Sequence, residues 1–88
     1  MRTVEQLRDI AKRVRQSRIE VEQEVATDGP FVLERINVEM TRRPDCQYHI
    51  IATRTVRGSG CTYKTIESVV LADALDELDR WAGMEIDL

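Results

Sequence analysis

Long apolar runs are missing from this chain: the longest, Val69 to Ala72, is four residues, where a membrane-spanning helix needs about 20. The N-terminus likewise has no apolar signal-peptide core. No membrane span is expected, and the cytoplasm is the expected compartment. Cysteine is scarce. Two, Cys46 and Cys61, in 88 residues are too few for a disulfide framework in a chain without an export signal, and both read as free thiols. Aromatics are few as well: one Trp, one Phe and two Tyr offer no platform for stacking nucleic-acid bases. With one histidine, metal chemistry has little material. Cys46 and His49 have Cys-x-x-His spacing, but on a strand that offset points the side chains to opposite faces, and no second half-site follows. A phosphate loop is also lacking, because Gly58-Ser59-Gly60 leads into strand residues and not into a helix. No cofactor is implied.

What the chain does contain is the composition of a folded domain. An apolar fraction of 42% and a charged fraction of 33% exclude a disordered or fibrous chain. Residues 1–88 are read as one small domain with a modest core and a thin margin of stability. The net charge of −3 hides a segregation: residues 1–18 carry six basic and two acidic side chains, a sum of +4, and residues 68–88 carry one basic and six acidic, a sum of −5.

Thr3 and Gln6 have capping-box spacing, which starts a helix. Val4, Leu7, Ile10, Ala11 and Val14 form its apolar stripe, with Arg8, Lys12 and Arg15 along one flank. The helix is expected to stop near Gln16. Arg13, Arg15 and Arg18 then sit at the negative end of its dipole, whereas a continuation would place Glu20, Glu22 and Glu24 there. Ile19, Val21 and Val25 also alternate with those glutamates at the two-residue period of a half-buried strand. The alternative, a helix of about 37 Å running on to Thr27, makes the fold α-β-β-β-α.

Pairing residues 19–25 back across Thr27-Asp28-Gly29-Pro30 sets Val25 against Val32, Val21 against Ile36 and Ile19 against Val38. On the other face it sets Glu22 against Arg35 and Arg18 against Glu39. The next turn, Arg42-Arg43-Pro44-Asp45, contains a proline and an aspartate, both residues that turns favour. It pairs Met40 with Tyr48, Val38 with Ile50, Ile36 with Ala52 and Val32 with Val56. A one-residue slip turns this apolar set outward. Cys61 to Glu67 or Ser68 forms a fourth strand in one of two registers, with Arg54 beside either Tyr63 or Lys64. Leu71, Ala74, Leu75, Leu78, Trp81 and Ala82 make the stripe of a second helix that ends at Gly83, with Asp73, Asp76, Glu77 and Asp79 outward. The expected fold is α+β: helix, four-stranded antiparallel meander, helix (α-β-β-β-β-α), with both helices on one sheet face. The alternating tail Met84 to Leu88 is expected to be tied down, on a sheet edge or on another chain.

These registers place Gln23, Glu34 and Arg54 in one polar row on the core face. The row is either a structural ion pair or the heart of a pocket, and catalysis by Glu34 beside Arg54 requires a cleft there. His49 and Cys61 are separated by seven or more strand residues of about 3.3 Å each, too far for base and nucleophile. The chain is therefore read as non-enzymatic. Two binding readings remain. One is protein binding through the outer sheet face, where Leu33, Ile51, Phe31 and Ile66 lie among Arg18, Arg35, Arg57, Lys64 and the glutamates, with homodimerisation through a sheet edge or the tail as a variant. The other is nucleic-acid binding by Arg8, Lys12, Arg15, Arg42 and Arg43, weighed lower because the acidic second helix is expected to lie alongside and neutralise the first. Small motif-free chains of mixed charge are common among phage and mobile-element accessory proteins, including inhibitors of bacterial defence such as anti-CRISPR proteins. No residue of this chain carries that comparison.

Overall fold

Thr3 begins the first helix with a complete capping box: the Gln6 amide donates to Thr3 Oγ1 at 3.1 Å, and the Thr3 amide donates to Gln6 Oε1 at 2.8 Å. The structure is a computed structural model that describes residues 2–26, 32–58 and 60–88. Its elements are α1 (Val4–Gln16), β1 (Ile19–Ala26), β2 (Val32–Arg42), β3 (Tyr48–Val56), β4 (Gly60–Ser68) and α2 (Leu71–Ala82). The strands form one antiparallel sheet in the order β1-β2-β3-β4, so the architecture is α-β-β-β-β-α. The long first helix does not form. Ser17 is already extended at φ −160°, its amide capping Arg13 O at 3.0 Å, and Arg13 and Arg15 occupy the last turn.

The strands are aligned two residues away from the expected pairings. Ile19 faces Met40, Val21 faces Val38, Gln23 faces Ile36 and Val25 faces Glu34, with an irregularity between Val25 and Ala26. Across the next hairpin Met40 faces Ile50, Val38 faces Ala52, Ile36 faces Arg54 and Glu34 faces Val56. The fourth strand takes neither expected register, because Ile66 faces Ile50, Lys64 faces Ala52 and Thr62 faces Arg54. The physical reason is a line of four aliphatics across the sheet. Ile19, Met40, Ile50 and Ile66 share one row, and none is more than 4% exposed. Below it, Lys64 opposite Ala52 is tolerated because β4 is an edge strand, and the lysine reaches Glu77 of α2 at 3.3 Å while its stem stays on the sheet.

The β2–β3 hairpin closes one residue later than the expected turn. Cys46 donates to Arg43 O at 3.0 Å and Arg43 to Gln47 O at 2.9 Å, leaving Pro44, Asp45 and Cys46 as a three-residue loop. Cys46 takes the left-handed conformation, φ 67°, a position that such loops commonly give to glycine. The Thr27-Asp28-Gly29-Pro30 turn, Phe31 and Ser59 lie outside the described residues.

Both helices cover the same side of the sheet. Ile10 and Val14 of α1, and Leu71, Ala74, Leu75, Leu78 and Ala82 of α2, are buried against it. Helix α2 ends at Gly83, φ 74°, whose amide donates to Asp79 O at 2.8 Å. The tail adds no strand. Ile86 is buried, its amide donating to Asp79 Oδ1 at 3.1 Å, and the Asp87 amide donates to Gln23 Oε1 at 3.0 Å. Arg2 completes the latch by binding both the Asp79 carboxylate and Ile86 O. Asp79 therefore faces into the fold and not outward as its helical position suggested.

Candidate functional site

The polar row is divided by the observed register. Gln23 and Arg54 stand in one row with Ile36 between them, and Glu34 stands in the next. Glu34 and Arg54 still meet, because long side chains reach diagonal neighbours across a sheet. Arg54 Nη2 donates to the Ala82 carbonyl at the C-terminal end of α2, and its guanidinium lies 5.0 Å from the centre of the Trp81 ring. A cation at a helix C-terminus is favoured by the dipole and by the unsatisfied carbonyls there. Gln23 instead holds the tail through Asp87 and donates to Met84 Sδ at 3.4 Å. Arg54, Glu34 and Gln23 thus connect the sheet to α2 and to the tail.

The other side of the sheet is covered by neither helix. Its rows follow from the register. Glu22, Asn37, Thr53 and Tyr63 form one row; Glu20, Glu39, Ile51 and Thr65 form the next. Glu24, Arg35, Thr55 and Cys61 lie toward one end, and Thr41, His49 and Glu67 toward the other. Polarity changes across these rows. The β1–β2 half is charged and internally paired: Arg35 binds Glu22 at 2.8 Å and Glu24 at 3.1 Å, and Arg18 binds Glu20 at 3.1 Å and Glu39 at 3.5 Å. The partners Glu22 and Glu39 are those expected, reached diagonally. The β3–β4 half is neutral apart from Glu67, which lies at one end beside His49 and Arg43. There Ile51 is 40% and Tyr63 73% exposed, beside Thr53 and Thr65. Asn37, Thr53, Tyr63 and Thr65 make no side-chain hydrogen bond among the described residues. A shallow hollow of about 410 Å³ runs between the halves, lined by Glu20, Glu22, Asn37, Glu39, Ile51 and Thr53.

Of the residues expected on this face, Arg35 and Ile51 are there, and Arg57 follows β3 as an exposed turn residue. Lys64 and Ile66 are not. Both point to the helix side, Ile66 being 1% exposed, because the row of aliphatics sets the parity of β4. The side chain of Leu33 lies outside the described residues, as does Phe31. Tyr63 is the outer-face residue that the expected register pairing it with Arg54 misplaced; the register pairing Arg54 with Lys64 puts it outward, as observed. The signal for it was present: Ile66 is the only aliphatic in β4, so burying it sends Tyr63 outward.

His49 is on the outer face, with Nδ1 3.0 Å from Arg43 Nη2 and Nε2 3.7 Å from Glu67. Cys46 and Cys61 are free, exposed and at opposite ends of the sheet. Among the described residues no three His, Cys, Asp or Glu side chains come together as metal ligands would. No helix is long and apolar enough to cross a membrane. No protein-family model, curated protein or solved structure matches this chain.

Proposed function

We propose that this chain is a small non-enzymatic module that binds another protein through the uncovered face of its sheet. Its role on this reading is that of an accessory or inhibitor protein of a phage or mobile element, as anti-CRISPR proteins are. One observation carries the reading: the neutral patch of Ile51, Thr53, Tyr63 and Thr65, with Asn37 beside it, exposes apolar area and unused hydrogen-bonding groups in one place. Interfaces combine these features, with aromatic side chains as anchors and a polar rim. Here the rim is the set of ion pairs around Arg35 and Arg18, which set register and discourage wrong partners more than they add affinity. Two exposed thiols suit a reducing cytoplasm. The edges β1 and β4 leave pairing groups that a second copy can use, which light scattering reports.

The test compares two baits in one lysate, the wild-type chain and the double variant Ile51→Glu, Tyr63→Ala. The expected result is a specific partner on the wild-type bait and none on the variant, with unchanged circular dichroism. Loss of an anchor is expected to weaken binding about 30-fold or more. Capture of the same partner by both baits overturns the assignment of this face.

A further inference from the structure

A second surface lies away from the outer face and carries charge of one sign. Arg8, Lys12 and Arg15 recur at four- and three-residue intervals on one side of α1, about 6 and 10 Å along the axis from the first. The three-residue loop brings Arg42 and Arg43 to the end of this row. Two shallow hollows meet there, one of about 460 Å³ lined by Arg8, Ala11, Lys12, Arg15 and Gln16, the other of about 400 Å³ lined by Arg15, Arg42, Arg43, Pro44 and Cys46. They share Arg15, and no acidic side chain lines either.

This row forms, among the described residues, no ion pair with a carboxylate of α2. Its Asp79 is held by Arg2 and its Glu77 by Lys64. Among the described residues Arg8, Lys12, Arg15 and Arg42 enter no ion pair, and Arg43 has Glu67 at 3.3 Å. Arg42 is braced in place by the ring of Tyr48, 5.1 Å from its guanidinium carbon. In a chain of net charge −3, a row of five cations, four of them without an ion pair among the described residues, is a directed feature and not a reflection of overall composition.

We infer that this surface binds the phosphodiester backbone of double-helical nucleic acid without reading its sequence. A lipid surface fits less well, since an interfacial helix inserts its apolar side, and that side of α1 is already buried through Ile10 and Val14. An acidic protein fits less well because the apolar lining is Ala11, Pro44 and Cys46, with no large anchor of the kind that dominates protein interfaces. A rigid line of arginines and a lysine answers a repeating row of phosphates, and Arg favours bidentate phosphate contact. The scarcity of aromatics points to the duplex backbone and away from unstacked bases.

The experiment is fluorescence anisotropy of the full chain with labelled duplex DNA and, separately, duplex RNA over a salt series, beside flotation with phosphatidylserine-containing vesicles. Binding is expected in the micromolar range or weaker, and the log–log plot of affinity against salt is expected to have a slope of about −4 on DNA. The triple variant Arg8→Glu, Lys12→Glu, Arg15→Glu is expected to abolish binding, and Arg80→Glu, at an exposed position of α2 that lines neither hollow, to leave it unchanged. Since reversing Arg15 places an acid at the C-terminal end of α1, the turn variant Arg42→Glu, Arg43→Glu serves as a second, helix-independent test and is expected to lower the salt slope by about 2. Absence of binding to both duplexes at the lowest salt overturns the inference. So does binding equal to that of the wild-type chain by both the triple and the turn variant, or charge-dependent binding to vesicles alone.

Discussion

Replacing Ile50 by alanine is expected to destabilise the domain by about 3 kcal/mol, which for a chain of this size lowers the thermal midpoint by roughly 12–24 °C. Ile50 is fully buried in the centre of the aliphatic row, flanked by Met40 on β2 and Ile66 on β4 with the helices above. Removing its methylenes opens a cavity that the neighbouring strands cannot collapse into, because they are fixed by their own ladders. The adjacent residue supplies the control. Ile51→Ala, one position along the same strand but on the uncovered face, is expected to change stability by no more than about 0.5 kcal/mol. Urea denaturation of both variants checks this, and equal losses would mean that the two faces are not as assigned.

The ion pair beneath α2 yields the second large effect. Arg54→Met removes the partner of Glu34, the donor to the Ala82 carbonyl and the cation beside Trp81. Breaking a fully buried pair costs about 3–5 kcal/mol. Here the side chains are 26% and 21% exposed, so solvent screens part of that and the expected cost is about 2 kcal/mol. Much of this reflects a carboxylate left alone, so adding Glu34→Gln to Arg54→Met is expected to recover about half of it. A double variant whose loss equals the sum of the two single losses would show that the pair is not coupled, and would reopen the row as something other than a strut.

The order of elements was legible because each had a local cause: a capping box at Thr3, alternation from Ile19 onward, a proline turn at Pro44 and a glycine stop at Gly83. Register was less legible. A slip of two residues leaves every side chain on its own face, so hydrophobic alternation separates odd slips from even ones but cannot choose among the even ones. The choice is made by the packing that lines up Ile19, Met40, Ile50 and Ile66 beneath two helices, and by Cys46 taking a conformation usually left to glycine. The outer face was half legible for the same reason. Arg35 and Ile51 follow from the parity of the central strands, whereas β4 mixes threonine, tyrosine and lysine so evenly that only Ile66 separates its sides. The residues of the basic surface were legible, but not their pairing. Net charges of helices do not reveal which carboxylates are already committed to Arg2 and Lys64.

The two surfaces carry their own reporters. Cys61 belongs to the outer face, beside Thr55 and in the row next to Tyr63, while Cys46 lines the hollow with Arg15, Arg42 and Arg43. Both thiols are exposed in the free chain. Alkylation rates of the two cysteines, read by mass spectrometry on the free chain and on its complex with the captured protein, therefore report which surface the partner covers. The proposed function predicts that the protein partner slows Cys61 strongly and leaves Cys46 at its free rate. Protection of Cys46 with Cys61 unchanged would contradict it.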